Sequence, residues 1–393
     1  MIAELEIDLG ALRRNVARLG ALGAPARYAA VVKANAYGHG LAAVGRALAP
    51  HVAAFCVYRV DEAVTLRDAG VAAPLLVLGP VEPHELEAAH AARAAIALWS
   101  DGGFRRDVVR VARVGGAAFA VHAKIDTGVT RLGLDAAQAS TVLAGYLDEA
   151  ELDVRGVFTH LAAAEELESA YTLAQLARFD DALAPLGTAL AQRGVIRHAA
   201  ASAAAMLYPR LRLDLIRPGI ATYGIWPSEE TRVATEHALA LEPSLQWTTR
   251  LVTVRDVEAG QSVGYGCTYR TLRPSRIGVL PIGYAEGLPR ALGNAGFALV
   301  HGTRVPFVGR ICMNMSFLDV TDVAAAANGS RVTLVGRDGS AAIAANELAA
   351  VAGTIGYELV ARLPAEVPRR YVDGAAVAPP NAASAAARSS VPS

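Results

Sequence analysis

Lys33 closes the apolar run Tyr28-Ala29-Ala30-Val31-Val32, and its primary amine can form a Schiff base with a carbonyl or carry a proton. Tyr37, four residues on, adds a hydroxyl, while Gly38 and Gly40 open the backbone into a turn before an alanine-rich helix near Leu41. Other apolar runs also end in groups with chemistry. One closes with Lys124-Ile125-Asp126-Thr127-Gly128 followed by Arg131, one with Thr159-His160, one leads into Ser202, and one into Arg217-Pro218-Gly219-Ile220. Singly, each has a plain explanation: a lysine laying its stem along apolar surface, a satisfied core histidine, a solvated arginine, a serine capping a helix. Their recurrence at the ends of successive runs points to one shared rim.

The runs are Tyr28 to Lys33, Ala53 to Val57, Leu75 to Leu78, Ala94 to Leu98, Phe119 to Ile125, Arg155 to Thr159, Ile196 to Ala200 and Leu213 to Ile216. They make about eight, nearly continuous in apolar character, each pair spaced for one helix, as a parallel (β/α)8 barrel requires. Active sites of such barrels form where the strands run out into loops. A doubly wound open sheet is the other arrangement that this alternation allows. Ahead of the runs, Asp8 precedes Leu9, Leu12, Val16 and Leu19 at helical spacing, a capped amphipathic helix. Beyond Pro227, Leu245 to Val254, Arg276 to Leu280, Phe297 to Val300, Val305 to Val308 and Phe317 to Val320 read as strands of a mostly β second domain. The expected division is an N-terminal segment over 1–10 able to pair with the β domain, a barrel over 11–235, a β domain over 236–373 and a disordered tail over 374–393, rich in Ala, Pro and Ser.

The segment Val31-Val32-Lys33-Ala34-Asn35-Ala36-Tyr37-Gly38-His39-Gly40 resembles the cofactor-attachment segment of the alanine racemases, and the resemblance extends over roughly residues 2–373. It implies an α/β fold, a TIM-like barrel that binds pyridoxal 5'-phosphate followed by a mostly β domain, with Lys33 in Schiff-base linkage and Tyr37 on the cofactor phosphate. Arg217-Pro218-Gly219-Ile220 resembles the segment whose arginine faces the pyridine nitrogen, with the amides of Gly219 and Ile220 on phosphate. An arginine there donates but cannot accept the nitrogen's proton, so the ring stays a weaker electron sink and a short-lived carbanion is favoured. Ser202 matches a phosphate-binding serine, with Ala201 where many relatives carry Asn, and Tyr357 resembles a further tyrosine on the phosphate. Arg131 resembles the arginine that braces the cofactor's phenolic oxygen and the substrate carboxylate, with Val129 where Met is usual. Lys124 matches a lysine that is carbamylated in several relatives.

Racemisation without a metal needs two bases on opposite faces of the substrate carbon. Lys33 serves one face, acting on the D-enantiomer. For the other, Val263-Gly264-Tyr265-Gly266 resembles the segment carrying the catalytic tyrosine, which acts on the L-enantiomer. A free tyrosine titrates at about 10, so work near neutrality needs a cation nearby. The resemblance implies a chain in which Tyr265 bonds His160 and His160 bonds Arg217. In relatives this tyrosine enters from the other subunit, which implies a homodimer with shared sites. Cys312-Met313 resembles the loop meeting the substrate carboxylate from the same neighbour, through the Met313 amide. Tyr284 resembles a tyrosine at the pocket entrance, with Glu286 and Asn314 standing where Asp is more usual.

The implied activity interconverts L-alanine and D-alanine, supplying D-alanine for peptidoglycan. The Asn314-Met315 departure keeps a serine or broader-specificity amino-acid racemase open as the alternative. A decarboxylase of the same fold also brings a cysteine from its β domain, but its attachment segment differs from Val31 to Gly40. A non-catalytic cofactor carrier would lack the β domain and Tyr265. Lys and Arg total 37 against 37 Asp and Glu, with no basic aromatic stripe, so nucleic acid is not the expected partner. No apolar stretch reaches the length of a membrane span, and the acidic start Glu4 to Asp8 lacks the flank of a signal peptide, pointing to the cytoplasm. Cys56, Cys267 and Cys312 are widely spaced, which fits free thiols and suggests no metal site.

Overall fold

The computed structural model describes residues 3–374; the expected tail lies, beyond Gly374, outside the described residues. The chain opens with strand β1 (Ala3–Asp8) and helix α1 (Leu9–Gly23). Asp8 caps that helix by accepting the amide of Ala11 at 2.9 Å, and Leu12, Val16 and Leu19 are its buried stripe. Eight parallel strands follow: β2 (Arg27–Val31), β3 (Ala54–Val57), β4 (Leu75–Val77), β5 (Ala94–Leu98), β6 (Phe119–Asp126), β8 (Leu152–Phe158), β9 (Ile196–His198) and β10 (Leu215–Ile216). The two-residue β7 (Leu134–Asp135) is a spur on β6.

Register runs from Ala29 opposite Ala54 through Phe55 opposite Leu75 to Phe158 opposite His198, and β10 returns to β2 with Leu215 opposite Arg27. The ring closes between β9 and β10 through the amide of Asp214 on the carbonyl of Arg197 (3.0 Å) and that of Arg217 on Ala200 (2.8 Å). A barrel, not an open sheet, is therefore what the eight runs build. All five residues of β5 are buried, as expected for a strand covered on both faces.

The second unit is mostly β. β1 lies antiparallel to Leu245–Arg250 and parallel to Arg369–Val372, so both ends of the described chain meet in one sheet. The stretch expected as one strand from Leu245 to Val254 is two, Leu245–Arg250 and Thr253–Val257. Buried Leu251 bonds across to Ser330 and Val252 to Val279, and the chain crosses from one sheet to another there. The expected strand Val305 to Val308 forms at Thr303–Pro306, and Arg331–Asp338 is a central strand that apolar patterning did not single out. Among the described residues no helix is long and apolar enough to cross a membrane.

Candidate active site

Lys33 emerges at the carboxyl end of β2 and is followed by one turn of left-handed helix. Ala34, Asn35, Ala36 and Tyr37 have φ of 53°, 54°, 53° and 51°. Left-handed backbone costs a non-glycine residue about 1–2 kcal/mol, so neighbouring groups must hold this turn. They do: the Ala34 amide donates to Glu62 Oε1 (2.7 Å), the Leu41 amide to Asn35 Oδ1 (2.8 Å), and Arg369 Nε to the Gly38 carbonyl (2.8 Å). The Lys33 amine lies 5.9 Å from the centre of the Tyr58 ring. Burial, and then the charge of Arg131, bring it below the usual lysine range, against an opposing pull from Glu62.

At the end of the neighbouring strand β10, Arg217 is buried and still cationic near neutrality, with burial lowering it to about 10. Its Nη1 bonds His198 Nδ1, and its Nη2 donates to the carbonyls of Thr159 (2.9 Å) and Ala199 (3.1 Å). Because a guanidinium only donates, His198 Nδ1 accepts; its Nε2–H then donates to His122 Nδ1 at 2.8 Å. Among the described residues no hydrogen bond joins His160 to Arg217, whose side-chain partner is His198. β9 lies beside β10 where the ring closes, so His198, the last residue of β9, comes to Arg217. His160 instead sits in a field of cations: burial, Arg217, Arg131, Lys124 and Lys33 hold it neutral, down to about 3.

Burial also depresses His39 to about 4, His122 to about 3, and His198 well below its ordinary value. Each of these imidazoles titrates lower folded than at the 6.5 of the free side chain. The unfolded chain therefore binds more protons in that window, and stability should fall as pH drops through 6.5 towards about 3. A urea midpoint lower at about pH 5 than at about pH 7 is the expected result; an unchanged midpoint contradicts it.

The loops that follow β2, β9 and β10 form a small polar cradle. Ser202 Oγ accepts the amides of Gly219 (2.9 Å) and Ala221 (3.4 Å). Ile220 opens the short turn Ile220–Tyr223, where the first amides lack an internal acceptor. A Cβ at Gly219 would lie 2.4 Å from the Tyr37 hydroxyl, so only glycine leaves that space open. Tyr37 stands 4.9 Å from Tyr223 and 6.4 Å from Tyr357, ring to ring. Burial and then Glu165, which shares a hydrogen bond with it, push the Tyr357 phenol up, so it stays a donor. An amine that can be covalently engaged, a hydroxyl-and-amide cradle a Cβ would fill, and a guanidinium with donors to spare fit a phosphorylated pyridine aldehyde.

Lys124, 5% exposed, is brought down to about 8 by burial and Arg131. Arg131 itself is exposed, on a loop that Asp126 organises by accepting the amides of Gly128, Val129, Thr130 and Arg131. Tyr265, Tyr284, Cys312, Met313 and Asn314 are elsewhere, on the β unit. Tyr265 is 72% exposed and Met313 57%, and no hydrogen bond or ring contact among the described residues joins this group to the barrel rim. Gly264 and Gly266, both at φ 74°, flank Tyr265. The two other segments are stapled together, the Tyr284 amide on the Cys312 carbonyl (3.1 Å) and the Ala285 amide on that of Met313 (2.9 Å). Asn314 donates to Glu286 at 2.7 Å, so the two departures from the usual Asp are partners, and a carboxylate at 314 would face another carboxylate. Glu62, His122, Glu165 and His198 were not singled out in the sequence. The available signal was a histidine inside each of two apolar strand runs.

Two family models match the chain: the N-terminal domain of alanine racemase over residues 7–227 and the C-terminal domain over residues 244–371. A relative in Symbiobacterium thermophilum, named alanine racemase, is 42% identical over 367 residues, covering 93% of this chain and 96% of that protein. The solved alanine racemase of Clostridium difficile 630 superposes with a TM-score of 0.88 at 30% identity, covering 95% of this chain and 96% of that one. That of Bartonella henselae, solved with covalently bound pyridoxal phosphate, gives 0.83 at 27% identity, covering 95% and 100%. The chain belongs to the alanine racemase family.

Proposed function

We propose that this chain is an alanine racemase that holds pyridoxal 5'-phosphate on Lys33 and interconverts L-alanine and D-alanine with two bases, Lys33 and the Tyr265 of a second copy. The observation that carries the reading is a half-buried Lys33, its amine made less basic by burial, on the same barrel rim as the Tyr37, Ser202 and Gly219 cradle and Arg217. Tyr37, Ser202, Gly219, Ile220 and Tyr357 would hold the phosphate, Arg217 the pyridine nitrogen, and Arg131 the phenolic oxygen. When bound, the cofactor supplies an electron sink that makes the substrate's α-proton removable.

The work left to the side chains is proton traffic on two faces. Lys33, brought below the usual lysine range by burial and Arg131, takes or returns the proton on the D side. Tyr265 serves the L side. The cations that keep His160 neutral would equally favour the ionised phenol of a tyrosine brought against them. Its exposure within one chain, with that of Met313, supports a homodimer in which the β unit (residues 236–373) of one copy completes the barrel (residues 11–235) of the other. The Met313 amide and Arg131 then meet the substrate carboxylate, with Tyr284 at the entrance and Lys124 behind Arg131. A cytoplasmic role in supplying D-alanine for peptidoglycan goes with this reading.

A chiral assay over alanine, serine, lysine and arginine tests it: alanine should be converted with the highest kcat/KM, and a preference for another amino acid would replace the substrate assignment. Gly219→Ala offers a test of the cradle. Crowding the Tyr37 hydroxyl should weaken cofactor retention roughly tenfold to a hundredfold, measured by dialysis and absorbance; unchanged retention would move the phosphate elsewhere.

A further inference from the structure

We propose that Glu62 is the positioning residue for Lys33, a carboxylate that holds in place the left-handed turn on which both Lys33 and Tyr37 are carried. The inference rests on the assignment of Lys33 given above. Glu62 stands at the third position of the helix Val60–Asp68 and is only 6% exposed. Its Oε1 accepts the Ala34 amide (2.7 Å), and its Oε2 accepts the amides of Tyr58 (2.8 Å) and Arg59 (3.1 Å). One side chain therefore ties together the carboxyl ends of β2 and β3, the strands whose loops flank the lysine.

The turn has a particular need for such a tie. The opening amides of a helical turn find no acceptor within it, and Ala34 is both such a position and the first of four non-glycine residues at positive φ. The far end is held by Asn35 on Leu41 and by Arg369 on Gly38; at the end next to Lys33 the Ala36 amide reaches the Val32 carbonyl (2.9 Å), and Glu62 supplies the acceptor for the remaining amide, that of Ala34. Both carboxylate oxygens face N–H donors. A glutamine would have to aim its own NH2 at one of them, and an aspartate is a methylene too short to span the two ends. The negative charge also acts on the Lys33 amine, favouring its protonated form against burial and Arg131.

Amide hydrogen exchange on the full chain, with and without bound pyridoxal phosphate, tests this in Glu62→Gln and in the double variant Glu62→Gln with Ala34→Gly. The single variant should lose about tenfold or more of the protection at Ala34 to Tyr37 in the cofactor-free protein, while β5 and β6 keep theirs. In the loaded protein, kcat should fall with little change in KM for alanine. Glycine accepts positive φ without the Cβ penalty, so the double variant should regain both protection and kcat. A role confined to packing the helix Val60–Asp68 would not respond to Ala34→Gly. Unchanged protection in the single variant, or a loss that glycine fails to restore, overturns the proposal. If the single variant does not fold, a folded double variant supports it and an unfolded one overturns it. A wild-type chain that fails to bind the cofactor through Lys33 would refute the functional assignment, while the exchange comparison in cofactor-free protein still decides the role of Glu62.

Discussion

Lys33→Ala is expected to lose covalent attachment of pyridoxal phosphate and, with it, racemisation by about 10³-fold or more, since a positioned base alone contributes about 10²–10⁴. The basis is local. The amine is half buried on the rim, made less basic by desolvation and Arg131, and carried on a turn whose backbone other groups hold. In the proposed reading, alanine at 33 removes the nucleophile that would anchor the cofactor and the base on the D face together. The visible absorbance of the lysine-bound cofactor and borohydride trapping followed by peptide mapping read the first effect, and the chiral assay reads the second. A variant that still trapped cofactor covalently would place the attachment on another lysine, and Lys124, brought down to about 8, is the one to examine.

Tyr265→Ala should leave that absorbance intact and abolish α-proton exchange of L-alanine, by about 10²–10⁴-fold, with exchange of D-alanine largely kept. The asymmetry follows from the proposed two-base scheme, in which Lys33 still serves the D side. Persistence of L-alanine exchange would mean that one base serves both. The same variant tests the shared site. Tyr265 is exposed within its own chain, and in the proposed reading a second copy completes the site. Inactive Lys33→Ala and inactive Tyr265→Ala protein, unfolded and refolded together, would then form hybrids carrying one intact site, recovering about a quarter of wild-type activity at equal mixing. Recovery of none would put both bases in one chain.

The barrel was legible because strands buried on both faces read as apolar runs: Ala94 to Leu98 matches its run residue for residue. Reading the groups at the ends of those runs was enough to collect Lys33, Lys124, His160, Ser202 and Arg217 on one rim. What escaped depended on partners distant in sequence. Arg369–Val372 carries two arginines and is a strand because β1 pairs with it, not because of its own pattern. Arg331–Asp338 interleaves Thr333 with apolar residues and turns at Gly336, φ 112°, so neither alternation nor a clean run marked it. The left-handed turn was hidden for a related reason. Gly38 and Gly40 announced a turn, but Ala34, Ala36 and Tyr37 avoid positive φ unless clamped, and the clamp, Glu62, lies 28 residues away. His198 escaped as a partner of Arg217 because strand closure, which sequence spacing does not disclose, brings β9 beside β10.

The fate of one hydrogen tests the two-base reading most directly. With the cofactor-loaded wild-type protein and L-alanine in deuterium oxide, chiral separation and mass spectrometry at early times should find D-alanine carrying solvent deuterium at the α-carbon, while the remaining L-alanine is still unlabelled. Absence of D-alanine, or D-alanine that retains the substrate's own α-hydrogen, would contradict a two-base racemase built on Lys33 and Tyr265.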